Sequence, residues 1–254
     1  MRRTVRTLGA LGILLLAFAG AARAITYGDP DGTGHPYVGL VALYNKGVYK
    51  GRCSGAVVSP TVVLTAAHCI ADTGADRARV YLEPTVTDDL SNPAAGLPGT
   101  PHAHPAFTNL GALPNTSDVA VVVLDNAVSL PRYGVLATIG SLDGSRGDHL
   151  TVVGYGLQGV KPRILDEKTR FVATPRVRGL DGKITDGWNV KTSNDRKNGG
   201  TCFGDSGAPL LVEGTDQIVA LNSFGKNDTC KGSDFSYRVD TTYAQSWLAG
   251  YLSK

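Results

Sequence analysis

The stretch Ser117-Asp118-Val119-Ala120-Val121-Val122-Val123-Leu124 places an acid directly before six apolar residues. A short apolar run rich in β-branched Val is typical of a strand that is buried on both faces. A carboxylate at the mouth of such a strand is costly to bury unless a partner satisfies it. We therefore predict a buried strand over residues 119–124. We expect Asp118 either to form part of a turn or to be held by another polar side chain.

Short apolar runs of the same kind recur along the chain, with Gly and Pro between them. They cover residues 37–44, 55–58, 62–64, 80–82, 150–153 and 217–223. Such runs, separated by turn signals and without alternating helical stretches, favour barrels or sandwiches over a parallel α/β sheet. The sequence is therefore predicted to be all-β.

Two segments depart from the strand pattern. Near the C-terminus, large apolar residues recur at near-helical spacing, which predicts the only helix of the chain. They are Tyr243, Trp247, Leu248, Tyr251 and Leu252. Residues 91–105 contain four Pro and two Gly, and we expect them to form a surface loop.

The first 24 residues have the pattern of a signal peptide. Arg2, Arg3 and Arg6 precede an apolar run over residues 8–19, and Ala22-Arg23-Ala24 supplies the small-residue ending. The run is shorter than the roughly 20 residues of a membrane-spanning helix, so an N-terminal anchor is the weaker reading. We expect a secreted protein that is cut after Ala24, with a cut after Ala22 as the alternative. The export route stays open.

Removing the leader changes the charge of the protein. The whole chain has 25 Lys+Arg and 22 Asp+Glu, net +3, but residues 1–24 hold four Arg and no acid, which leaves a net charge of −1. The basic excess therefore lies in the leader and gives no reason to expect nucleic acid or an anionic membrane as a partner. No later run is long and apolar enough to span a bilayer.

Four cysteines follow the leader. In an exported chain they favour disulfides over a metal site, because the compartment is oxidising and no CxxC or HxxxH spacing is present. We expect no metal and no cofactor. The sequence leaves three pairings open. We prefer Cys53 with Cys69 and Cys202 with Cys230, since each pair closes a short loop within one half of the chain.

The segment Gly204-Asp205-Ser206-Gly207-Ala208-Pro209 predicts a tight turn that presents a serine. Glycine beside the serine leaves the backbone N–H groups of Gly204 and Ser206 free to point at a developing oxyanion. Taken alone, the segment reads more readily as an ordinary turn between strands. Interpreting Ser206 as a nucleophile requires a base elsewhere in the chain that can accept its proton.

Such a base is supplied by Thr65-Ala66-Ala67-His68-Cys69, which follows the strand-like run 62–64. The imidazole of His68 has the pKa range needed to accept the serine proton and return it to a leaving group. Asp118 would then be the partner that fixes the ring through Nδ1–H. Asp125, at the far end of the same apolar run, is the weaker candidate.

Together these segments resemble the chymotrypsin/trypsin family of serine peptidases. The resemblance extends to Gly154-Tyr155-Gly156, to Ser223-Phe224-Gly225 and to the order His, Asp, Ser along the chain. It implies a secreted serine endopeptidase with the triad His68, Asp118 and Ser206. It also implies two packed antiparallel β-barrels, residues 25–135 and 136–254, the second ending in the C-terminal helix.

The resemblance implies the substrate contacts as well. Ser223, Phe224 and Gly225 are expected to form the edge strand that pairs with an extended peptide. Gly200 and Thr201 stand where trypsin-like members carry an acid that binds Lys or Arg. A tryptic preference is therefore not expected, and small or apolar P1 residues are favoured. Asp234 falls near the facing wall, and the sequence assigns it no role.

Activation is the last expectation that the resemblance carries. Family members begin with Ile or Val, whose new α-ammonium pairs with the acid before the catalytic serine. Here signal cleavage would free Ile25 to pair with Asp205 without a separate zymogen step. The expected partners are protein or peptide substrates and protein inhibitors, and the expected state is a monomer. The alternatives are a catalytically silent homologue that binds proteins and a serine esterase.

Overall fold

The computed structural model describes residues 24–161, 163–180 and 182–252. The signal-peptide prediction for residues 1–23 lies outside these described residues. The strands, in chain order, are β1 (Asp29–Pro30), β2 (Val38–Asn45), β3 (Val48–Ser59), β4 (Val62–Thr65), β5 (Arg77–Tyr81), β6 (Leu97–Ala103), β7 (Ala120–Leu124), β8 (Val135–Leu136), β9 (Leu150–Gly154), β10 (Phe171–Ala173), β11 (Val177–Leu180), β12 (Asn189–Asn194), β13 (Pro209–Val212), β14 (Gln217–Gly225) and β15 (Gly232–Arg238). The helices are α1 (Ala24–Tyr27), α2 (Ala67–Thr73) and α3 (Thr242–Leu252). The first of them is a single irregular turn.

The first half of the chain forms a closed antiparallel barrel with the strand order β2-β3-β4-β7-β6-β5. Strand β7 carries the apolar run that opened the sequence analysis, and it lies between β4 and β6. The side chains of β2 and β4 are almost all buried, which accounts for the unbroken apolar runs in their sequence. This barrel places the ends of β4 and β7 side by side, with Thr65 opposite Ala120.

The second half forms a curled sheet, within the described residues, in the order β1-β10-β9-β13-β14-β15-β12-β11. Strand β8 joins it by pairing in parallel with β14. A second apolar cluster lines this sheet and includes Leu150, Phe171, Leu210 and Val219. The prediction of an all-β fold with two packed antiparallel β-barrels and a C-terminal helix is confirmed, and the second barrel takes the form of this curled sheet.

A buried arginine joins the two halves. Arg170, 1% exposed, donates from Nη1 to the carbonyl oxygens of Val38 (2.9 Å) and Leu82 (3.0 Å) in the first half. Its Nε donates to Asp31 Oδ2 (2.9 Å) and its Nη2 to the Gly32 carbonyl oxygen (2.6 Å). A buried cation is tolerated because its donors are satisfied and a carboxylate offsets its charge. The proposed boundary at residue 135 remains a prediction, and β1 pairs with β10 of the second sheet.

Two sequence predictions are wrong. Residues 91–105 are not only a loop, because they contain β6, which pairs with β5 and β7 in the barrel. Their Pro and Gly residues were interpreted as turn signals. Pro98 still offers its carbonyl oxygen to Asp125 N–H (2.9 Å), and at Gly99 a Cβ would lie 2.6 Å from a Val122 methyl group. The close approach of β7 therefore requires the glycine.

The helices also differ from expectation. Helix α3 is confirmed, with Ala244 and Leu248 buried. However, α2 is a second regular helix that the sequence pattern did not indicate, since its seven residues are too short to show a helical period. Within the described residues, no helix has the length and apolar character needed to cross a membrane.

Candidate active site

His68 lies in the first turn of α2, immediately after strand β4. Ala66, with extended backbone, links the two elements, and the Cys53–Cys69 disulfide ties the helix to β3. The His68 backbone N–H donates to Asp118 Oδ1 at 2.9 Å, and Nδ1 lies 2.9 Å from Asp118 Oδ2. This two-point contact sets both the position and the orientation of the ring. The sequence placed His68 at a strand end, whereas it sits one residue inside a helix.

Asp118 is fully buried just before β7. The turn that holds it is built by Asn115, whose Oδ1 accepts the Ser117 N–H (3.0 Å) and the Tyr237 hydroxyl (3.0 Å). Ser223 Oγ also donates to Asp118 Oδ2 at 2.5 Å. The buried carboxylate is thus satisfied by His68 and Ser223, as the cost of burying it requires. Sequence reasoning had placed Ser223 only in the substrate strand and missed this contact.

The environment of His68 shifts its titration. Burial lowers the pKa of His68, but the charge and hydrogen bond of Asp118 outweigh burial, so the net shift is upward from the usual value. Asp118 therefore stabilises the protonated form of the His68 ring, which is the form that holds the serine proton in acyl transfer.

Ser206 lies across the cleft from His68, and both line one cavity of about 270 Å³. Within the described residues Ser206 Oγ makes no hydrogen bond to His68 Nε2. Catalytic contacts of this kind are often long before substrate binds. The Ser206 carbonyl oxygen accepts the Ser54 N–H at 2.8 Å, so a strand of the first barrel holds the loop that presents Ser206.

The loop before Ser206 has the features of an oxyanion site. Gly204 has φ +94°, a region that favours glycine. In the described part of the chain, the N–H groups of Gly204 and Ser206 donate to no other protein group, whereas the Asp205 N–H donates to the Cys202 carbonyl oxygen (3.0 Å). Two adjacent free donors suit an anionic oxygen.

Asp205 is completely buried beneath this loop. Its carboxylate accepts the backbone N–H groups of Gly156 (2.8 Å) and Cys202 (2.9 Å). Burial raises the pKa of Asp205 to about 7, although both hydrogen bonds favour the charged form. Ile25 is buried in the cluster of the second half. In the uncut chain Ile25 follows Ala24 and carries no ammonium, so its pairing with Asp205 remains a prediction.

The residues that the sequence predicted to contact substrate divide into two groups. Thr201, Ser223, Phe224 and Gly225 line the cavity, as expected. Gly200 does not line it: a Cβ there would lie 2.2 Å from the Asn194 side chain, and its N–H donates to the Thr26 carbonyl oxygen (3.1 Å).

Asp234, to which the sequence assigned no role, lines the cavity and is 3% exposed. Its Oδ2 accepts the Thr201 N–H (2.7 Å), and Asn194 Nδ2 lies 3.0 Å from both of its oxygens. The cavity therefore has a buried carboxylate in its wall, and that carboxylate is already hydrogen-bonded.

Both preferred disulfides are formed, Cys53–Cys69 and Cys202–Cys230. The sulfur atoms of the first lie near the His68 ring. They are bonded to each other and present no thiolate to a metal.

The other candidate acid and the other histidines lie in different settings. Asp125 pairs with Arg77. His35 contacts Asp31, and His104 packs against Tyr243 and Trp247 of α3 with ring centroids 5.1 and 5.0 Å apart.

The chain is similar to known proteins over most of its length. A family model described as Trypsin matches residues 29–248. Brachyurin from Leptuca pugilator is 29% identical over 203 residues, which is 77% of this chain and 85% of that protein. An HL collagenase structure superposes with a TM-score of 0.73 at 20% identity, covering 90% of this chain and 99% of that one.

A second solved structure, the scabies mite inactivated protease paralogue S-D1, superposes with a TM-score of 0.69 at 16% identity, covering 90% of this chain and 98% of that one. At these identities the two structures show the fold alone.

Proposed function

The chain belongs to the trypsin family, and from the geometry of its site we propose that it is a secreted serine endopeptidase that works through an acyl-enzyme intermediate. The observation that carries the proposal is that His68, with Nδ1 2.9 Å from Oδ2 of the buried Asp118, lines the cavity that Ser206 also lines. A nucleophile, a base and the group that orients the base thus converge on one space.

The first half of the reaction is acylation. Ser206 Oγ attacks the carbonyl carbon of the peptide bond while His68 Nε2 takes the hydroxyl proton. Asp118 Oδ2 accepts the Nδ1–H, which leaves Nε2 without a proton before attack and stabilises the imidazolium afterwards. The C–N bond then breaks, and the imidazolium returns its proton to the leaving amine.

The oxyanion that forms on the carbonyl oxygen needs donors. The N–H groups of Gly204 and Ser206 are the candidates, because both are free of protein partners among the described residues. Donors fixed before the reaction stabilise the developing charge without reorganisation. In deacylation, a water molecule attacks the ester carbon while His68 Nε2 takes one of its protons. The bond between that carbon and Ser206 Oγ then breaks, the imidazolium returns the proton to Oγ, and the carboxylic acid leaves.

The position of β14 beside the cavity favours peptides over small esters as the substrate class. Residues 223–225 run along the cavity, and a strand edge pairs with an extended backbone rather than with a small ester. We further propose that protein inhibitors bind the same edge and that the mature protein acts as a secreted monomer.

A second candidate is a catalytically silent homologue that binds proteins. It is favoured by one observation, that Ser206 Oγ makes no hydrogen bond to His68 within the described residues. A fluorophosphonate probe separates the two, because it reacts only with an activated serine.

The testing experiment treats the mature protein and its Ser206→Ala variant with the probe and with a peptide library. We expect labelling and cleavage by the first protein alone, with turnover lower by several powers of ten in the variant. Turnover of simple esters without cleavage of any peptide would favour an esterase. If the fluorophosphonate probe does not label the wild-type protein, the result would favour the catalytically silent homologue.

A further inference from the structure

A second concave surface lies on the C-terminal half, away from the catalytic residues. We call it the cationic groove, and it measures about 470 Å³. Three separate segments contribute to it, the first through Arg146, Gly147 and His149, the second through residues 176–178 and the third through residues 197–198. Its lining contains Arg146, His149, Arg176, Arg178 and Lys197, and no acidic side chain of the described residues is among the lining groups.

The positive side chains of the groove are positioned rather than loosely scattered. Arg176 Nε donates to the Gly147 carbonyl oxygen at 2.9 Å, and among the described residues the two terminal nitrogens of its guanidinium have no hydrogen-bond partner. Arg178 lies 3.6 Å from Asp195 at the border of the groove. Asp195 in turn accepts the backbone N–H groups of Lys197 and Asn198, both at 3.0 Å. Four permanent cations thus line the groove, with Asp195 beside Arg178 and the exposed Asp148 between two of the lining residues.

This concentration of charge stands out against the rest of the protein. After removal of the leader the chain has a net charge of −1, so no general basic excess accounts for the groove. Clustered like charges destabilise a fold by mutual repulsion, and an anionic ligand relieves that repulsion. Arginine guanidinium groups bind carboxylates in a planar, two-point geometry.

The groove and the cavity that contains Ser206 are lined by residues that lie close together along the chain. Lys197 lines the groove and Thr201 lines the cavity. Four residues of chain span at most about 14 Å, so the two backbones lie within that distance. A polypeptide that contacts both Thr201 and Lys197 therefore has to bridge no more than about 14 Å between their backbones.

We propose that the cationic groove is an exosite that binds an acidic segment of a protein substrate several residues away from the cleaved bond. The proposal rests on the peptidase function proposed above, since that function brings polypeptides to the neighbouring cavity. Exposed positive charge beside a cleft also accelerates the encounter with acidic partners.

The test measures binding without catalysis, so that it does not depend on activity. The protein carries Ser206→Ala, and the probe is a fluorescein-labelled peptide with six consecutive Glu residues. A peptide with Gln in place of each Glu is its control. Fluorescence anisotropy is measured at low and at physiological salt. We expect binding of the Glu peptide that weakens with salt, and no binding of the Gln peptide.

Two variants with the same loss of charge then locate the site. Arg146→Gln with Lys197→Gln removes two groove cations and leaves the Arg176 contact with Gly147 intact. Lys46→Gln with Lys50→Gln removes two exposed cations of the first barrel. We expect the groove variant to weaken binding about tenfold and the control variant to leave it nearly unchanged.

Three results would overturn the exosite: no binding of the Glu peptide at low salt, equal weakening by both double variants, or binding of a sulfated polysaccharide at the groove without binding of the Glu peptide. In the active enzyme, the groove variant is expected to raise KM for a substrate with a Glu segment and not for its Gln counterpart. If no substrate is cleaved while the Glu peptide still binds at the groove, the peptidase proposal fails and the binding site stands.

Discussion

Ser54 Oγ lies 2.9 Å from the carbonyl oxygen of Gly204 and donates a hydrogen bond to it. Ser54 Oγ also accepts the Tyr155 N–H at 2.9 Å. One buried hydroxyl of the first barrel thus joins the Gly204 loop, where we propose that the oxyanion binds, to Tyr155, the residue that follows β9. The loop owes its shape to the contact between the two halves as well as to its own glycines.

Replacing this hydroxyl tests that dependence. Ser54→Ala removes the donor to Gly204 and leaves the Tyr155 N–H without its acceptor. A buried unsatisfied group costs about 1–3 kcal/mol, so we expect a lower unfolding temperature. We also expect kcat to fall more than KM rises, because the oxyanion donors move while the substrate strand does not. Thermal unfolding and steady-state kinetics measure both effects.

Ser141→Ala is the matched control, since Ser141 is exposed and its hydroxyl makes only a local hydrogen bond to the Thr138 carbonyl oxygen. It should leave stability and kcat nearly unchanged. If Ser54→Ala destabilises the protein yet retains the full kcat, then the hydroxyl supports the fold and not the oxyanion loop.

The acid side of the activity profile tests the His68–Asp118 pair. Burial lowers the pKa of His68, and Asp118 more than compensates, so the folded pKa lies above the ordinary value of about 6.5. The base must be neutral to act, and kcat/KM should therefore fall below a midpoint higher than 6.5. The stability that the pair contributes is full below about pH 6.5 and fades as pH rises through the folded pKa.

Asp118→Asn removes the charge that raises this pKa. We expect the acid midpoint of kcat/KM to move to lower pH and the maximal rate to fall by several powers of ten, since the amide no longer fixes the tautomer. NMR titration of the His68 ring would measure the pKa directly. An unchanged midpoint in the variant would assign the acid limb to another group.

How much of this site the sequence could predict depends on the range of each contact. The resemblance brought together His68, Asp118 and Ser206 because each lies in a short, recognisable segment. The role of Ser54 could not be predicted, because its partner Gly204 lies 150 residues away along the chain. The hydrogen bond from Ser223 to Asp118 was missed for the same reason, with a separation of 105 residues.

Local signals also misled where tertiary packing overrides them. Pro98 and Gly99 indicated a loop, but the strand beside Val122 needs the space that glycine leaves. The apolar run 119–124 was predicted correctly because burial on both faces leaves a continuous pattern in the sequence.

The environment of Asp234 leads to a prediction about which P1 residues the protein accepts. Its carboxylate is buried in the cavity wall, and Thr201 and Asn194 already donate to it. Burial also raises its pKa, against the effect of those hydrogen bonds. A carboxylate engaged in this way holds a substrate cation weakly, so Arg and Lys should not dominate at P1. A peptide-library cleavage profile of the wild type measures the preference.

The matched variant is Asp234→Asn, which keeps the size of the side chain and removes its charge. We expect any residual cleavage after Arg or Lys to fall in this variant, with less change for small or apolar P1 residues. Exclusive wild-type cleavage after Arg or Lys that disappears in the variant would show that the carboxylate directs specificity despite its partners.

The last prediction concerns Asp205 and the amine that cleavage would create. In the uncut chain burial raises the pKa of Asp205 to about 7. A carboxyl group with a raised folded pKa contributes stability below its ordinary value of about 3.9, and this contribution is lost as pH rises through about 7. The uncut protein should therefore lose stability between about pH 4 and 7 in the region around Asp205.

Cleavage before Ile25 would create an α-ammonium group, and we predict that it pairs with the carboxylate of Asp205. Thr26 Oγ1 lies 3.2 Å from the Gly200 carbonyl oxygen and Ile25 is buried, so the segment that would carry the new terminus is already packed against the second half of the chain. Pairing raises the pKa of the amine above its free value of about 7.7 to 8. Its stabilising contribution is then full below that value and fades as pH climbs through the raised one.

Two forms of the protein separate these states, one that begins at Ile25 and one that begins at Arg23 after the alternative cut. We expect the first form alone to be active and to lose activity at alkaline pH as its amine deprotonates. Asp205→Asn should remove most of the activity of the Ile25 form, because it leaves a buried ammonium without a counter-charge. Intact mass and N-terminal sequencing of the active protein identify the form, and unfolding midpoints against pH compare the two. Full activity in the form that begins at Arg23 would rule out activation by the Ile25 amine, because the two extra residues block that amine.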